Sequence, residues 1–285
     1  MPIIRFIFGL AVGSFLNVLA TRYNPDGFLL SKNSLGGRSH CPHCKHALSW
    51  YELVPLVSFA VQGGKCLNCR AKISFLYPIG ELLGGLIFVF VPEKIASLSY
   101  PAPSFLSAQV FVWLCIFLLL QLLSFIDFRF QIIPDEGSLA LVVLGVLASF
   151  VYPLNILGMK AFSFIGHYAY LFNFQDSLVA NRLFGVAVGA AFFGLLILIT
   201  RGRGMGFGDL KLSLGLGLIF GWPDVLLVIG FAFIIGALIG GFLLLARRET
   251  MKSSLPFVPF LALGAVLVFF YGYKLTDFYF SFLNA

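Results

Sequence analysis

The sequence predicts an all-α, polytopic membrane protein with a small polar loop domain after its first membrane helix. Of the 285 residues, 60% are hydrophobic and only 11% are charged, whereas soluble domains carry about 25% charged residues. The apolar residues gather into eight segments, and the polar stretches between most of them are short. One polar stretch, 22–77, is much longer and holds four of the five cysteines. These three observations together favour a helical bundle that uses the bilayer as solvent.

The eight apolar segments differ in how well they suit a membrane crossing. A spanning helix needs about 20 predominantly apolar residues, and the first, third, seventh and eighth segments meet this requirement. The second is short and carries Pro78 and Glu81, and the sixth carries Asp209 and Lys211. Ionisable groups at membrane depth usually face the bundle interior and are functional candidates. We predict about eight transmembrane helices, at 2–21, 78–92, 105–126, 138–154, 183–200, 208–222, 224–246 and 255–273.

The segments divide the chain into three parts. The first helix, 1–21, begins with a weakly basic start at Arg5 and lacks a convincing cleavage site, so we interpret it as a retained helix rather than a signal peptide. The polar loop 22–77 follows, and 78–285 forms the membrane core. Within that core, the aromatic and broken stretch 155–181 is interpreted as an external loop with an interfacial piece. No internal repeat is evident.

The basic residues orient the bundle. With eight crossings, 14 of the 19 Lys and Arg residues fall on the side of the 22–77 loop. Cytoplasmic connections carry the excess of Lys and Arg, so this distribution predicts a cytoplasmic 22–77 loop with both termini outside. Because the basic residues lie mainly in short segments between apolar stretches, we interpret the net charge of +7 as a topology signal and not as a nucleic-acid interface.

The cysteines predict a metal site in the 22–77 loop. Cys41 and Cys44 form one C-x2-C pair, and Cys66 and Cys69 form another after a gap of 21 residues. Two such pairs suit a tetrahedral Zn²⁺, and four sulfur ligands leave no position open for water, so the site is expected to be structural. The alternatives are two disulfides or unengaged thiols, and a cytoplasmic location argues against disulfides.

Two aspartates are the candidate catalytic residues. Asp127 lies where the third apolar segment ends, and Asp209 lies in Gly206-Phe207-Gly208-Asp209, where the sixth begins. The predicted topology places both at the cytoplasmic ends of their helices, where two carboxyls can share a proton and activate water, as in aspartic peptidases. Separately, Asp127 could simply end a helix and Asp209 could be an N-cap. Asp135 and Glu136, which follow Pro134, predict a helix start.

These motifs together resemble the type IV prepilin peptidase family, whose members are G-x-G-D aspartic membrane peptidases. The resemblance extends over nearly the whole chain and rests on several motifs in the family's order. They are Gly13-Ser14-Phe15-Leu16-Asn17-Val18, Ser39-His40-Cys41-Pro42-His43-Cys44, Leu48-Ser49-Trp50-Tyr51-Glu52, Gly64-Lys65-Cys66 to Cys69, Tyr77-Pro78-Ile79-Gly80-Glu81, Ile126-Asp127 with Ile133-Pro134-Asp135, Gly204 to Leu212, and Pro256-Phe257 through Gly264.

The resemblance implies a function in the cytoplasmic (inner) membrane. Such enzymes remove a short basic leader from type IV prepilins or type II secretion pseudopilins, cutting after a glycine. Members with the cysteine loop commonly also methylate the new N-terminus with S-adenosylmethionine. The resemblance makes 78–285 the peptidase core and Asp127 and Asp209 its catalytic pair. No glycine loop of the Rossmann type is present for the methyl donor, and the candidates for contacts to the donor or the substrate are Glu81 and the cysteine loop. A buried polar group bonded between helices is the other interpretation of Glu81.

Two other classes of protein share part of the pattern. Preflagellin peptidases and signal-peptide-peptidase relatives also carry G-x-G-D, but the four-cysteine loop favours the prepilin type. A non-enzymatic zinc-bearing scaffold or a transporter is the second alternative. A transporter is expected to show repeated halves and broken helices that meet at mid-bilayer, whereas the acidic pair here is predicted at the membrane edge.

Overall fold

A computed structural model describes residues 2–31, 36–98, 104–105, 107–151, 163–172, 177–202, 204–246 and 255–283. All the regular elements in these ranges are helices, which confirms the predicted all-α class. Two short 3₁₀ helices, Trp50–Leu53 and Gly166–Leu171, accompany them. The α-helices are α1 Pro2–Arg22, α2 Val57–Val61, α3 Leu76–Leu98, α4 Ala108–Phe130, α5 Asp135–Val151, α6 Leu178–Thr200, α7 Phe207–Phe220, α8 Asp224–Leu245 and α9 Val258–Leu283.

Each of the eight predicted apolar segments overlaps one of these α-helices. In the described part of the chain, five helices are long and apolar enough to cross a membrane, namely α1, α4, α6, α8 and α9. The protein is therefore a membrane protein, and eight crossings remain a prediction. Pro134 and the acidic residues Asp135 and Glu136 begin α5 as expected. The second segment differs, because α3 continues through Pro92 to Leu98.

The chain forms two compact units, Met1–Glu93 and Lys94–Ala285. Most of α3 belongs to the same unit as α1 and the loop between them. Glycines explain the pairing of these two helices. A Cβ on Gly13 would lie 2.5 Å from the Gly80 carbonyl oxygen, and one on Gly9 would lie 2.5 Å from that of Gly84. The two backbones therefore touch in an antiparallel pair of the small-xxx-small kind found in membranes.

In the second unit, α7 is a short central helix. Its side chains Leu212, Leu216 and Ile219 are fully buried, and it packs chiefly against α5 and α6. The close contact with α6 requires glycine, because a Cβ on Gly217 would lie 2.7 Å from the Val186 backbone. A helix enclosed in this way can carry polar groups that lipid would exclude.

The residues 163–172, part of the predicted external loop with an interfacial piece at 155–181, pack against the second unit. The Phe164 ring packs against Trp113 at a centroid distance of 5.4 Å. The buried Asp224 carboxylate accepts hydrogen bonds from Ser163 Oγ at 2.5 Å and from the Phe164 amide at 2.7 Å. The remainder of that prediction, 155–162 and 173–176, lies outside the described residues, and α6 already begins at Leu178.

Candidate active site and cysteine cluster

Asp127 lies in the last turn of α4, three residues before Phe130, the last residue of the helix. Gln131 caps α4 in the left-handed conformation with φ 54°, and its amide donates to the Asp127 carbonyl oxygen at 2.8 Å. The Asp127 side chain is 5% exposed. Its Oδ2 accepts a hydrogen bond from the Val258 amide at 2.9 Å. The carboxyl is therefore held inside the unit and is not a solvated helix end.

Asp209 is the third residue of α7, and its environment follows from the glycines before it. Gly206 is the N-cap in an extended conformation, with φ −84° and ψ 155°. The Gly206 amide lies near the Asp209 carboxylate and interacts with it electrostatically, in the arrangement of the return contact of a capping box. The residue is nonetheless 91% buried, since its exposed fraction is 9%. The structure thus gives Asp209 a capping contact and an enclosed position together.

The fold brings Asp127 and Asp209 together. The two carboxyl groups are close enough for the charge of Asp127 to act directly on Asp209. Two nearby carboxyls inside a protein do not ionise together easily, so such a pair tends to share one proton. One group can then donate a hydrogen bond while the other accepts a proton from water, which is the chemistry of aspartic peptidases.

Two basic residues at this end of the bundle are engaged elsewhere. The Arg129 guanidinium lies over the Phe130 ring at 5.3 Å. The Lys211 ammonium pairs with the Asp135 carboxylate at 2.7 Å on the surface. Each of these two cations therefore has a partner outside the aspartate pair.

The N-terminus of α9 is a part of the site that the sequence analysis did not assign. The amides of Phe257 and Val258 both donate hydrogen bonds to the Asp127 side chain. They are among the free amides at a helix start, which favour a carboxylate. The motif that holds them, Pro256-Phe257-Val258-Pro259, contributed to the family resemblance. Pro256 indicates in the sequence that a helix starts here. The sequence does not show that the amides of this helix start contact Asp127.

The four loop cysteines converge in the first unit. Their Sγ atoms all lie within 4.8 Å of one another, and Cys41 Sγ is 3.8 Å from Cys69 Sγ. Four sulfurs at about 2.3 Å from a tetrahedral Zn²⁺ would be separated by about 3.8 Å. All five cysteines are free thiols, so the predicted alternative of two disulfides is not what the structure shows. The cluster fits a metal ion.

The cluster is built from two copies of one hydrogen-bonded knuckle, a repeat that the sequence analysis missed. In the first copy the Cys41 amide donates to the His46 carbonyl, and the Lys45 amide donates to the Cys41 carbonyl. In the second copy, 25 positions later, the Cys66 amide donates to the Ala71 carbonyl, and the Arg70 amide donates to the Cys66 carbonyl. A C-x2-C followed by a basic residue in left-handed conformation marks both copies, with φ 59° at Lys45 and at Arg70.

The electrostatics of the thiols favour a bound cation. The His46 backbone amide and the Asn68 side chain lower the pKa of the Cys44 thiol to about 6. Backbone amides of Cys69 and Asn68 lower the pKa of Cys66. The Ala71 amide acts to lower the pKa of the Cys69 thiol, but desolvation and the neighbouring thiols raise this pKa to about 11. Four thiolates this close together need a cation to offset their mutual repulsion.

Glu81 connects α3 to both neighbouring parts of the first unit. Its Oε1 accepts a hydrogen bond from Ser14 on α1 at 2.9 Å. Its Oε2 accepts one from the Leu56 amide in the loop at 2.8 Å. Leu56 has a φ of 60°, a strained conformation for a residue with a side chain, which this bond helps to hold. Glu81 is therefore a buried polar group that is bonded to a neighbouring helix and to the loop. This agrees with the second of its two interpretations.

Comparisons with known proteins agree with this two-unit arrangement. A model of the bacterial peptidase A24 N-terminal domain matches residues 7–95, and a model of the type IV leader peptidase family matches residues 113–241. The prepilin leader peptidase/N-methyltransferase of Bacillus subtilis is 30% identical over 278 residues, which cover 97% of this chain and 96% of that protein. This chain belongs to the type IV leader peptidase family.

Other family members match over similar lengths. The Aeromonas hydrophila prepilin leader peptidase/N-methyltransferase is 30% identical over 293 residues, covering 96% of this chain and 92% of that protein. The protein of the same name from Pseudomonas aeruginosa is 29% identical, with 97% and 92% covered. No solved structure matches the chain. The family predicted from the motifs is confirmed.

Proposed function

We propose that this chain is an aspartic endopeptidase that removes the leader from type IV prepilins or type II secretion pseudopilins, cutting after a glycine at the cytoplasmic face of the inner membrane. The observation that carries the proposal is the buried pair Asp127 and Asp209, in the last turn of α4 and the first turn of α7 of a type IV leader peptidase. The substrates are membrane-embedded, so the bilayer is part of the reaction site.

The proposed reaction uses one proton shared by the pair. The ionised carboxylate takes a proton from water while the water oxygen attacks the glycine carbonyl carbon, and the protonated carboxyl donates to the carbonyl oxygen. The tetrahedral intermediate then collapses as the C–N bond breaks and a carboxyl returns a proton to the leaving amine. The products are the leader with a free carboxyl and the mature pilin with a free amine. The amides that hold Asp127 fix its orientation for these steps.

Glycines provide the space for a substrate beside Asp209. A Cβ on Gly206 would lie 3.9 Å from Asp209 Oδ2, so a side chain at this position would stand next to the reactive oxygen. A Cβ on Gly208 would lie 3.0 Å from Ile133 Cδ1 in the connection between α4 and α5. Gly208 therefore permits the close packing that brings α7 to that connection, and Gly206 leaves the approach to the carboxylate open.

We also propose that the enzyme methylates the new N-terminus with S-adenosylmethionine as the donor, as the names of its relatives suggest. Each Glu81 oxygen accepts one hydrogen bond within the first unit, from Ser14 on α1 and from the Leu56 amide in the loop. We therefore propose a positioning role for Glu81, which holds the loop to α3. No other residue is assigned to the donor.

The cysteine cluster is proposed to hold a structural Zn²⁺, with Cys41, Cys44, Cys66 and Cys69 as its four ligands. Four thiolates complete a tetrahedral site and leave no position for substrate. The loop has few buried apolar side chains, and units of this size usually need a bound metal or a similar crosslink to fold. We place this loop in the cytoplasm and both termini outside. A reporter fused within the loop tests that orientation, and an external signal would contradict it.

The Val258 amide gives a test of the α9 contribution that leaves side chains almost unchanged. Val258→Pro removes the N–H that bonds Asp127, while proline at the first position of a helix is well tolerated. Removing a hydrogen bond to a charged group costs about 1.5–3 kcal/mol, so we expect cleavage to slow by about 10- to 100-fold. Val258→Ala keeps the amide and is the control. Cleavage rates are measured on membranes that contain equal amounts of each variant. Equal rates for Val258→Pro and Val258→Ala would contradict a role of the Val258 amide.

The proposed function is tested by co-expression with a prepilin from the same genome. The mass of the mature N-terminus then reports cleavage and methylation in one spectrum. We expect a pilin shortened to the residue after the leader glycine and heavier by one methyl group. An intact prepilin would contradict the peptidase proposal, and a shortened but unmodified pilin would contradict the methylation proposal alone.

A further inference from the structure

The second cysteine knuckle borders a pocket that neither the aspartates nor the metal cluster uses. It has a volume of about 420 Å³. Its apolar side includes Phe59 and Phe75, whose ring centroids are 5.4 Å apart. Its polar side includes Lys65 and Lys72, and the backbone of Gly63 and Gly64 completes it. The pocket thus combines an aromatic wall with two cations.

The two lysines face each other across a β-bridge. Lys65 and Lys72 are paired antiparallel, and the flanking bonds run from the Cys66 amide to Ala71 and from the Ile73 amide to Gly64. This pattern defines the non-hydrogen-bonded type of pair, in which the side chains are closest. Like charges directly opposite each other destabilise a bridge. In the described part of the chain, neither ammonium has an acidic partner.

The knuckle itself does not require this pair of lysines. The equivalent bridge in the first copy joins His40 and Ala47, and it supports the same hydrogen bonds around Cys41. The metal cluster can therefore be built without two cations at these positions. The lysine pair is an added feature of the second knuckle. An anion between the two ammonium groups would offset the repulsion between them.

The position of the pocket limits what that anion can be. Three of its residues, 73–75, directly precede α3, which packs against the membrane helix α1 through the contacts of Gly9 and Gly13. Phe75 is 72% exposed at the start of α3. Exposed aromatic rings next to basic residues at the end of a membrane helix are typical of the lipid headgroup region.

We propose that this pocket binds an anionic phospholipid, with its phosphate between Lys65 and Lys72 and the upper part of its acyl chains against Phe59 and Phe75. The proposal assigns the second knuckle a role in seating the loop on the membrane surface. Charge argues against the two reaction partners as occupants. S-adenosylmethionine carries a net positive charge and the leader is basic, so the lysine pair would repel both.

Amide hydrogen exchange of the full-length protein in lipid nanodiscs tests the proposal. Discs of phosphatidylcholine are compared with discs that also contain phosphatidylglycerol. We expect slower exchange in residues 59–75 when phosphatidylglycerol is present, and no change around the first knuckle, 40–47. In Lys65→Gln/Lys72→Gln, this protection should disappear. Each lysine near an anionic lipid surface contributes about fivefold in affinity, so the double variant should bind about 25-fold more weakly.

Matched variants separate the site from general charge. Lys45→Gln/Arg70→Gln removes the same amount of charge from equivalent positions of the two knuckles, outside the pocket. In this variant phosphatidylglycerol should still slow exchange in residues 59–75. Zinc content is measured for every variant, and Lys72→Gln alone replaces the double variant if Lys65, next to Cys66, disturbs the metal. Equal exchange in both kinds of disc would overturn the proposal. So would protection by inorganic phosphate or S-adenosylmethionine in phosphatidylcholine discs, which would indicate a soluble ligand.

Discussion

Asp127→Asn and Asp209→Asn are each expected to abolish leader cleavage while the protein still inserts into the membrane. Each substitution keeps the size of the side chain but removes one of the two groups that must exchange a proton. General acid–base catalysis by a positioned side chain contributes about 10²–10⁴-fold, and groups that act as a unit lose nearly all of their effect when either is removed. We therefore expect a loss on the order of 10⁴-fold in either variant, measured as prepilin processed per enzyme in isolated membranes.

Glu136→Gln is the matched control for these variants. Glu136 is an exposed carboxylate in the first turn of α5, where Asp135 neighbours Lys211 of the Asp209-bearing helix. Neutralising Glu136 changes the charge of this part of the second unit without touching the pair, so processing should stay within about twofold of the wild type. Normal processing by either single Asn variant would remove that aspartate from the catalytic pair.

Replacing Cys41 and Cys44 together by serine should release the metal from the loop. Two of four thiolates would be lost, and binding of structural zinc supplies about 10–16 kcal/mol in small zinc modules. We expect the purified variant to hold less than about a tenth of the zinc of the wild type. Its 36–75 region should also become sensitive to proteases, because the hydrogen bonds of the knuckles are too few to hold it alone.

Cys115→Ser provides the control for the metal experiment. Cys115 lies in α4, within the second unit, and is not part of the cluster. Its replacement should leave the zinc content unchanged. A full complement of zinc in the Cys41/Cys44 double variant would exclude the four-thiolate site, and equal loss in the Cys115 variant would point to general unfolding.

Much of this architecture follows from the sequence because the bilayer restricts the available folds. Each long apolar segment must satisfy its own backbone, so each is a helix. The glycines before Asp209 and the end of the apolar stretch at Asp127 located the two acids at helix ends. The spacing of Cys41, Cys44, Cys66 and Cys69 predicted their convergence, since two tight knuckles present four sulfurs to one centre.

Other features depend on tertiary contacts that leave little trace in the sequence. The second helix was predicted to end at residue 92, yet α3 continues to Leu98. In this added stretch the Lys94 ammonium donates a hydrogen bond to the Phe270 carbonyl oxygen at 2.9 Å. The contact between Asp127 and the start of α9 joins residues 131 positions apart. The repeated knuckle was missed because its two copies share backbone hydrogen bonds and few side chains beyond the cysteines.

We propose that Asp127 and Asp209 together cut the leader from a prepilin. The most direct measurement uses purified full-length enzyme in lipid nanodiscs with one purified prepilin, and reads the masses of both products. With the wild-type enzyme we expect a released leader that ends in glycine and a pilin that begins at the next residue. With Asp127→Asn/Asp209→Asn we expect an intact prepilin and an unchanged zinc content. Release of the same leader by the double variant would show that these two aspartates do not cut it.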